Sequence, residues 1–347
     1  MPTTNHTAAP AGTPARLGAS IRQFRDQHPH WFLLLGLMLA ALLLMDFTTW
    51  LVLTLSGAAM GAMLFLMASG MTLTFGLMNV LNLAHGAFIS LGAFAGATTL
   101  LFWLNDQAAA SSLWLNLAGV LPALLFAVLV AAAIGLMFEW LVIRPVYGDH
   151  LKQILVTVGG SIILMQLIEV VWGPNEIPVP RPEAFSGAVV VAGIALEKYR
   201  LWAVALGVLV YALMTWVIER TRIGILIRAG VEDREMVEVH GYRVRLLFLG
   251  VFIAGSALAG LGGAMWAMYQ ELITAHMGDE LMISVVVIII LGGLGSVKGC
   301  FFGAILVGLI NLYVGFLEPR LAAVATVGLM VAVLMWRPQG LIPVIRV

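Results

Sequence analysis

Apolar runs of roughly 20 residues, each parted from the next by a short polar stretch, recur along the chain from Trp31 to Trp336. Reading each run as one crossing predicts helices at Trp31–Phe47, Leu51–Gly76, Gly86–Leu104, Leu113–Ile143, Leu151–Trp172, Leu201–Ile218, Leu246–Gln270, Leu281–Val297, Cys300–Leu317 and Leu321–Trp336. Only a Ser296-Val297-Lys298-Gly299 turn divides the eighth from the ninth, so that pair reads equally as two spans or as two half-spans that re-enter. The expected fold class is all-α: a polytopic transmembrane helical bundle of about 8–10 spans, some re-entrant or broken.

One stretch departs from the apolar pattern. "NVLNLAHGAFISLGAFAG", Asn79 to Gly96, places two asparagines and a histidine between spans. If the helix through Met71 continues past Asn79, then Thr72, Asn79 and Ser90 fall within about 20° of one another, with Asn82 and His85 over a further 120° or so of the same side. Such a face has to turn toward other helices or a wet cavity, because an unpaired polar group in hydrocarbon costs several kcal/mol. Gly86, with Gly92 and Gly96 in small-xxx-small spacing, allows close helix approach or a backbone break. Two readings stand side by side. Thr72, Asn79, Asn82, His85, Gly86 and Ser90 line a route for a polar solute, or they bind helices together and cap a break near Ala84-His85-Gly86. Glu139 and Glu169 lie near the ends of their spans, where a charged tip reaches the interface.

Composition fixes the class. Of 347 residues 61% are hydrophobic and 10% charged, with mean hydropathy +1.02, against roughly 25% charged in a soluble domain. Zero formal charge and the lack of a long single-sign block give no sign of a nucleic-acid partner. The single cysteine, Cys300, excludes an internal disulfide, and with seven histidines in all no metal site is expected. Residues 1–30 are rich in Ala, Pro, Thr and Arg without apolar periodicity and are expected to form a disordered cytoplasmic tail ahead of a transmembrane domain at 31–347. That tail is longer and more polar than the start of a signal peptide, and no small-x-small site closes the first run.

Basic residues resist translocation, so their distribution orients the bundle. With the tail inside, fourteen of the eighteen Lys and Arg fall on inner segments, and Arg181, Lys198, Arg200 and Arg320 fall outside. Both termini are therefore expected in the cytoplasm. The largest outer loop, Gly173–Tyr199, has Pro174, Pro178, Pro180 and Pro182, so its first half should be extended and stiff. It is either a connector or a surface for an extracytoplasmic partner.

The inner loop 219–245 reads "ERTRIGILIRAGVEDREMVEVHGYRVR", near balance in charge, which favours docking to protein over anionic lipid for the loop as a whole. A helix over Arg228–His240 would align Ala229, Met236 and His240, with Val237 alongside, and turn Arg234, Glu235 and Glu238 away, between breaks at Gly224 and Gly241. A short amphipathic helix joined to two spans is suited to passing a push from a soluble partner into the membrane; the alternative is a helix that rests on lipid headgroups. No GxxxxGK[ST] phosphate loop occurs, and "LGGLGSVKG", Leu291 to Gly299, is out of register for one. Any ATP hydrolysis belongs to another chain.

Five motifs in order resemble the membrane permease subunits of ABC importers for branched-chain amino acids, the LivH type: "NLAHG" (Asn82–Gly86), "RPVYGDHLKQILVTVGGSIIL" (Arg144–Leu164), "GILIRAGVEDREMVEVHGYRV" (Gly224–Val244), "LGGLGSVKG" and "RPQGL" (Arg337–Leu341). The resemblance covers about Leu55 to Leu341. It departs from the family pattern at Leu83, where an aromatic is usual. It implies a bacterial inner-membrane permease, not an enzyme, paired with a second permease subunit of related type, two cytoplasmic ATPase subunits and a periplasmic solute-binding protein. ATP and Mg would sit on the ATPase partners, with no cofactor bound by this chain. It also implies that Gly224, Arg228, Ala229, Asp233, Arg234, Glu235 and Gly241 belong to the segment coupling to the ATPase. A stand-alone secondary transporter or channel is the alternative, but it would need ion-coupling charges at mid-membrane, which the mid-span regions scarcely offer.

Overall fold

A computed structural model of the chain describes residues 29–78, 82–108, 112–191, 193–232 and 234–342. The tail expected at 1–30 lies almost wholly outside the described residues, as do Asn79 and Asp233. Long apolar segments satisfy every backbone group internally by becoming helical, and among the described residues these are α1 (Pro29–Leu44), α2 (Phe47–Met78), α3 (His85–Thr98, prolonged by a π-helical turn Thr99–Trp103) and α4 (Leu113–Phe138, prolonged through Glu139–Ile143 and Arg144–Val146). They continue with α5 (His150–Trp172), α6 (Lys198–Arg220), the short α7 (Arg222–Glu232) and α8 (Arg234–Val239), then α9 (Val244–Gln270), α10 (Met277–Gly292), α11 (Val297–Leu317) and α12 (Ala322–Trp336). Eight of these segments are long and apolar enough to cross a membrane. The chain is a multi-pass membrane protein of all-α class.

Several boundaries differ from expectation for local reasons. The first run stops before Asp46 because that carboxylate caps α2, accepting from Thr49 N–H at 2.9 Å. The eighth span starts early, at Met277, and ends early, at Gly292, where Gly293 (φ +104) and Gly295 (φ +83) turn the chain through the left-handed region. The resulting pair is a helical hairpin of one short helix, sixteen residues, and one full-length helix, α11.

The centre is α2, packed against α11 and α9, with α3 packed in turn on α9. Small residues bring these backbones together, as membrane packing requires where apolar burial alone gives no preference over lipid. A methyl group at Gly61 of α2 would lie 2.7 Å from the carbonyl oxygen of Ala304 on α11. Gly92 of α3 meets Gly260 of α9 in the same way. Phe65, Phe88, Phe94 and Phe252 fill the spaces between, with Phe88 set edge-on to both Phe138 and Phe252.

The outer loop is tied down. Ile177–Pro178 (β1) pairs antiparallel with Leu272–Ile273 (β4), and Ala188–Val191 (β2) forms a hairpin with Ile194–Glu197 (β3). Arg181 reaches the last turn of α9, donating to the carbonyls of Met268 at 3.2 Å and Tyr269 at 3.1 Å. It also pairs with Glu271 at 2.9 Å and with Glu197. One guanidinium thereby satisfies carbonyls that the helix end leaves open.

Candidate functional site

The polar face around "NLAHG" is assembled where three helices meet. The helix does not run on from α2; a new one, α3, starts at His85, with Asn82 Oδ1 accepting from Ala84 N–H at 3.1 Å across the turn. His85 Nε2–H donates to the main-chain oxygen of Met67 at 2.8 Å. Met67 lies eleven residues before the end of α2, so α3 begins about 16 Å along that helix from its end. Ser90 Oγ accepts the N–H of Gly278 at 3.0 Å, at the start of α10. Gly86 presses on the same point; a methyl there would lie 2.9 Å from the Gly278 oxygen. Thr72 Oγ1 donates to Ala68 within α2 at 2.8 Å. Thr72, Asn82, His85 and Ser90 are all buried within this one chain. The structure brings Asn82, His85, Gly86 and Ser90 into a single α2–α3–α10 junction and sets Thr72 on the α2 side of it.

Two of the sequence motifs prove to be one piece of structure. Leu341 and Ile342 N–H donate to the carbonyls of Leu291 and Gly292, at 2.9 and 3.0 Å. Gly340 (φ +82) sits flat on Gly293, where a methyl would be 2.6 Å from its Cα. "RPQGL" therefore closes back over "LGGLGSVKG". Ser296 Oγ caps α11 by accepting from Gly299 N–H at 3.0 Å, and Lys298 pairs with Glu219 at the end of α6 at 2.7 Å.

Within the segment 219–245 the described residues are helical at Arg222–Glu232 (α7) and Arg234–Val239 (α8), on either side of Asp233. Gly224 lies inside α7 and is not a break; a side chain there would strike the Ile218 backbone at the end of α6. Gly241, with φ +86, does end α8. Ile227 and Val237 turn inward, whereas Met236 and Val239 are exposed, Val239 to 84%. The face expected, with Ala229, Met236 and His240 together, is not the one that turns inward: Met236 and His240 are exposed and Val237 is buried. Ala229 is half-buried, and Arg228, Arg234 and Glu235 are described by their backbone positions on α7 and α8.

Glu139 is not an interfacial anchor. It is 3% exposed and accepts from the hydroxyl of Tyr147 at 3.0 Å. Glu169 lies 3.2 Å from His276 Nε2, which joins the end of α5 to the start of α10. Neither pairing carries a signal in the sequence, because each links residues without helical periodicity between them. Among the described residues no three His, Cys, Asp or Glu converge as a metal site would need.

A family model described as branched-chain amino acid transport system, permease component, matches residues 53–334. Similar to this chain are the high-affinity branched-chain amino acid transport system permease proteins BraD of Pseudomonas aeruginosa, 26% identical over 83% of this chain and 94% of that protein, and LivH of Escherichia coli, 25% identical over 83% and 93%. LivM of Escherichia coli is 29% identical over 80% of this chain and 67% of its own length. No solved structure matches.

Proposed function

Because the chain belongs to the branched-chain amino acid transport system permease component family, we propose that it is the membrane-spanning permease subunit of an ATP-binding-cassette importer, carrying a small polar solute across the bacterial inner membrane. The solute class is branched-chain amino acids or a related amino acid, amide or organic acid. Both termini face the cytoplasm in this reading. A second permease of related type completes the membrane unit, which fits the likeness to both LivH and LivM proteins. Two cytoplasmic ATPases bind ATP and Mg, a periplasmic binding protein delivers the solute, and this chain holds no cofactor of its own.

The observation that carries the reading, beyond the family itself, is the pair of exposed apolar side chains Met236 and Val239 on the α7–α8 segment between two spans. A water-facing segment gains nothing from such residues unless a partner covers them. Residues 219–245, including Gly224, Arg228, Ala229, Asp233, Arg234, Glu235 and Gly241, form the coupling segment on which the ATPase rests. Asn79, Thr72, Asn82, His85, Gly86 and Ser90 belong to the translocation path as its rigid support. The burial of the last five favours holding the helices that bound the path over touching the solute. Vesicles containing this chain with the products of neighbouring genes should take up solute only when ATP and the ATPases are inside; uptake by this chain without an ATPase rejects the proposal.

A further inference from the structure

At the end of α4 and the start of α9, on the side of the bundle that carries α7 and α8, a groove of about 810 Å³ opens outward. Its mouth is basic. Arg144 comes from the last turn of α4, Arg243 from the position just before α9 and Arg245 from its first turn. None of the three side chains has an ion pair or hydrogen bond within the described residues, so three arginines from two separate parts of the chain line one groove without side-chain partners. The acidic members of the wall are Glu139 and Glu238. Glu139 is turned inward onto Tyr147, leaving the exposed rim with an excess of positive charge. Two aromatics with polar ends flank the mouth, Trp140 at 57% and Tyr242 at 50% exposure. Behind them the wall is apolar, with Leu136, Met137 and Leu249 continuing along the spans.

Each part has a physical use at a membrane boundary. Guanidinium forks match phosphate oxygens, Trp and Tyr favour the headgroup level, and an apolar trough beneath accepts a hydrocarbon chain. We propose that this groove is a binding site for an anionic phospholipid, its phosphodiester held by Arg144, Arg243 and Arg245 and one acyl chain lying along α4 and α9. The loop 219–245 taken whole is nearly neutral; the selection of positive charge comes from the three-dimensional groove, which recruits Arg144 from a different part of the chain. The site requires no assumption about transport; Arg243 and Arg245, with Glu238 and Tyr242, lie at the C-terminal end of the segment 219–245 assigned above to the ATPase, while Met236 and Val239, the side chains proposed to meet it, are not part of the groove's lining.

The test is native mass spectrometry of the full chain purified in detergent, with phosphatidylglycerol and phosphatidylcholine of equal chain length as probes. Phosphatidylglycerol should be retained about tenfold more strongly. R144Q/R243Q/R245Q should abolish that preference, while R220Q/R222Q, at the end of α6 and start of α7, should keep it. Brominated phosphatidylglycerol should quench wild-type fluorescence more than that of W140F, a measurement that needs no change to the arginines. Equal retention of the two lipids, a preference that survives in the triple variant, or displacement of phosphatidylglycerol by millimolar inorganic phosphate alone would overturn the proposal. Loss of preference in the wild type only when the ATPase is bound would also overturn it, by showing the groove to be the ATPase's seat.

Discussion

Gly92 and Gly260 touch backbone to backbone where α3 crosses α9, with no room for a single methyl group between them. Gly159, midway along α5, has nothing within 4 Å of where its methyl would stand. Opposite responses to the same change are therefore expected. Gly92→Ala should destabilise by about 1–3 kcal/mol through overpacking, while Gly159→Ala should be neutral or gain up to about 1 kcal/mol from helix propensity. Unfolding of the purified variants in mixed micelles measures both.

His85→Leu removes the donor that ties α3 to the Met67 carbonyl. A cost of about 1–3 kcal/mol is expected, and any fall in transport should track the fall in folded protein. A variant of full stability with no transport would instead give His85 a direct role in the path.

The spans and the polar "NLAHG" face are legible in the sequence because length and hydropathy record them locally. The joints are not. The closure of Leu341 on Leu291 and of Arg181 on the end of α9 brings together residues 50 and 87 positions apart, and no periodicity links such pairs. The buried face of the α7–α8 segment failed to show because periodicity over Arg228–His240 groups Met236 with His240, whereas tertiary contact at Ile227 and Val237 decides which side turns inward. Gly224 shows the same limit from another side: a glycine needed for close approach to Ile218 looks, in sequence, like one that ends a helix.

Gly340→Val should detach the C-terminal segment, since Gly340 combines a left-handed backbone (φ +82) with contact against Gly293. Faster proteolysis beyond Trp336, with the earlier spans intact, is the expected result.

Asp149 caps α5, accepting from Lys152 N–H at 3.1 Å and pairing with the Lys152 ammonium at 2.9 Å. The side-chain bond to Lys152, then the backbone bond, hold its carboxyl below the ordinary range. A lowered folded pKa means stabilisation that is complete above the ordinary carboxylate value and lost as pH falls through the folded one. Wild type minus Asp149→Asn, compared by melting temperature, should show a difference at neutral pH that vanishes in strong acid.

Met236→Asp with Val239→Asp should reduce co-purification of the ATPase by about tenfold or more while leaving membrane insertion unchanged. Quantitative pull-down from solubilised membranes is the readout, and unchanged recovery would move the coupling contact elsewhere.

The seat of Gly278 on Gly86 and Ser90 has a mechanical corollary. Two main chains in contact leave no clearance for sliding, so α3 and α10 must travel together as one solid part, with α2 clamped to them through His85. If this carrier opens alternately to each side, the pivoting has to occur around that part, and the base of α9, bordered by hollows on two flanks, is where the chain leaves play for it.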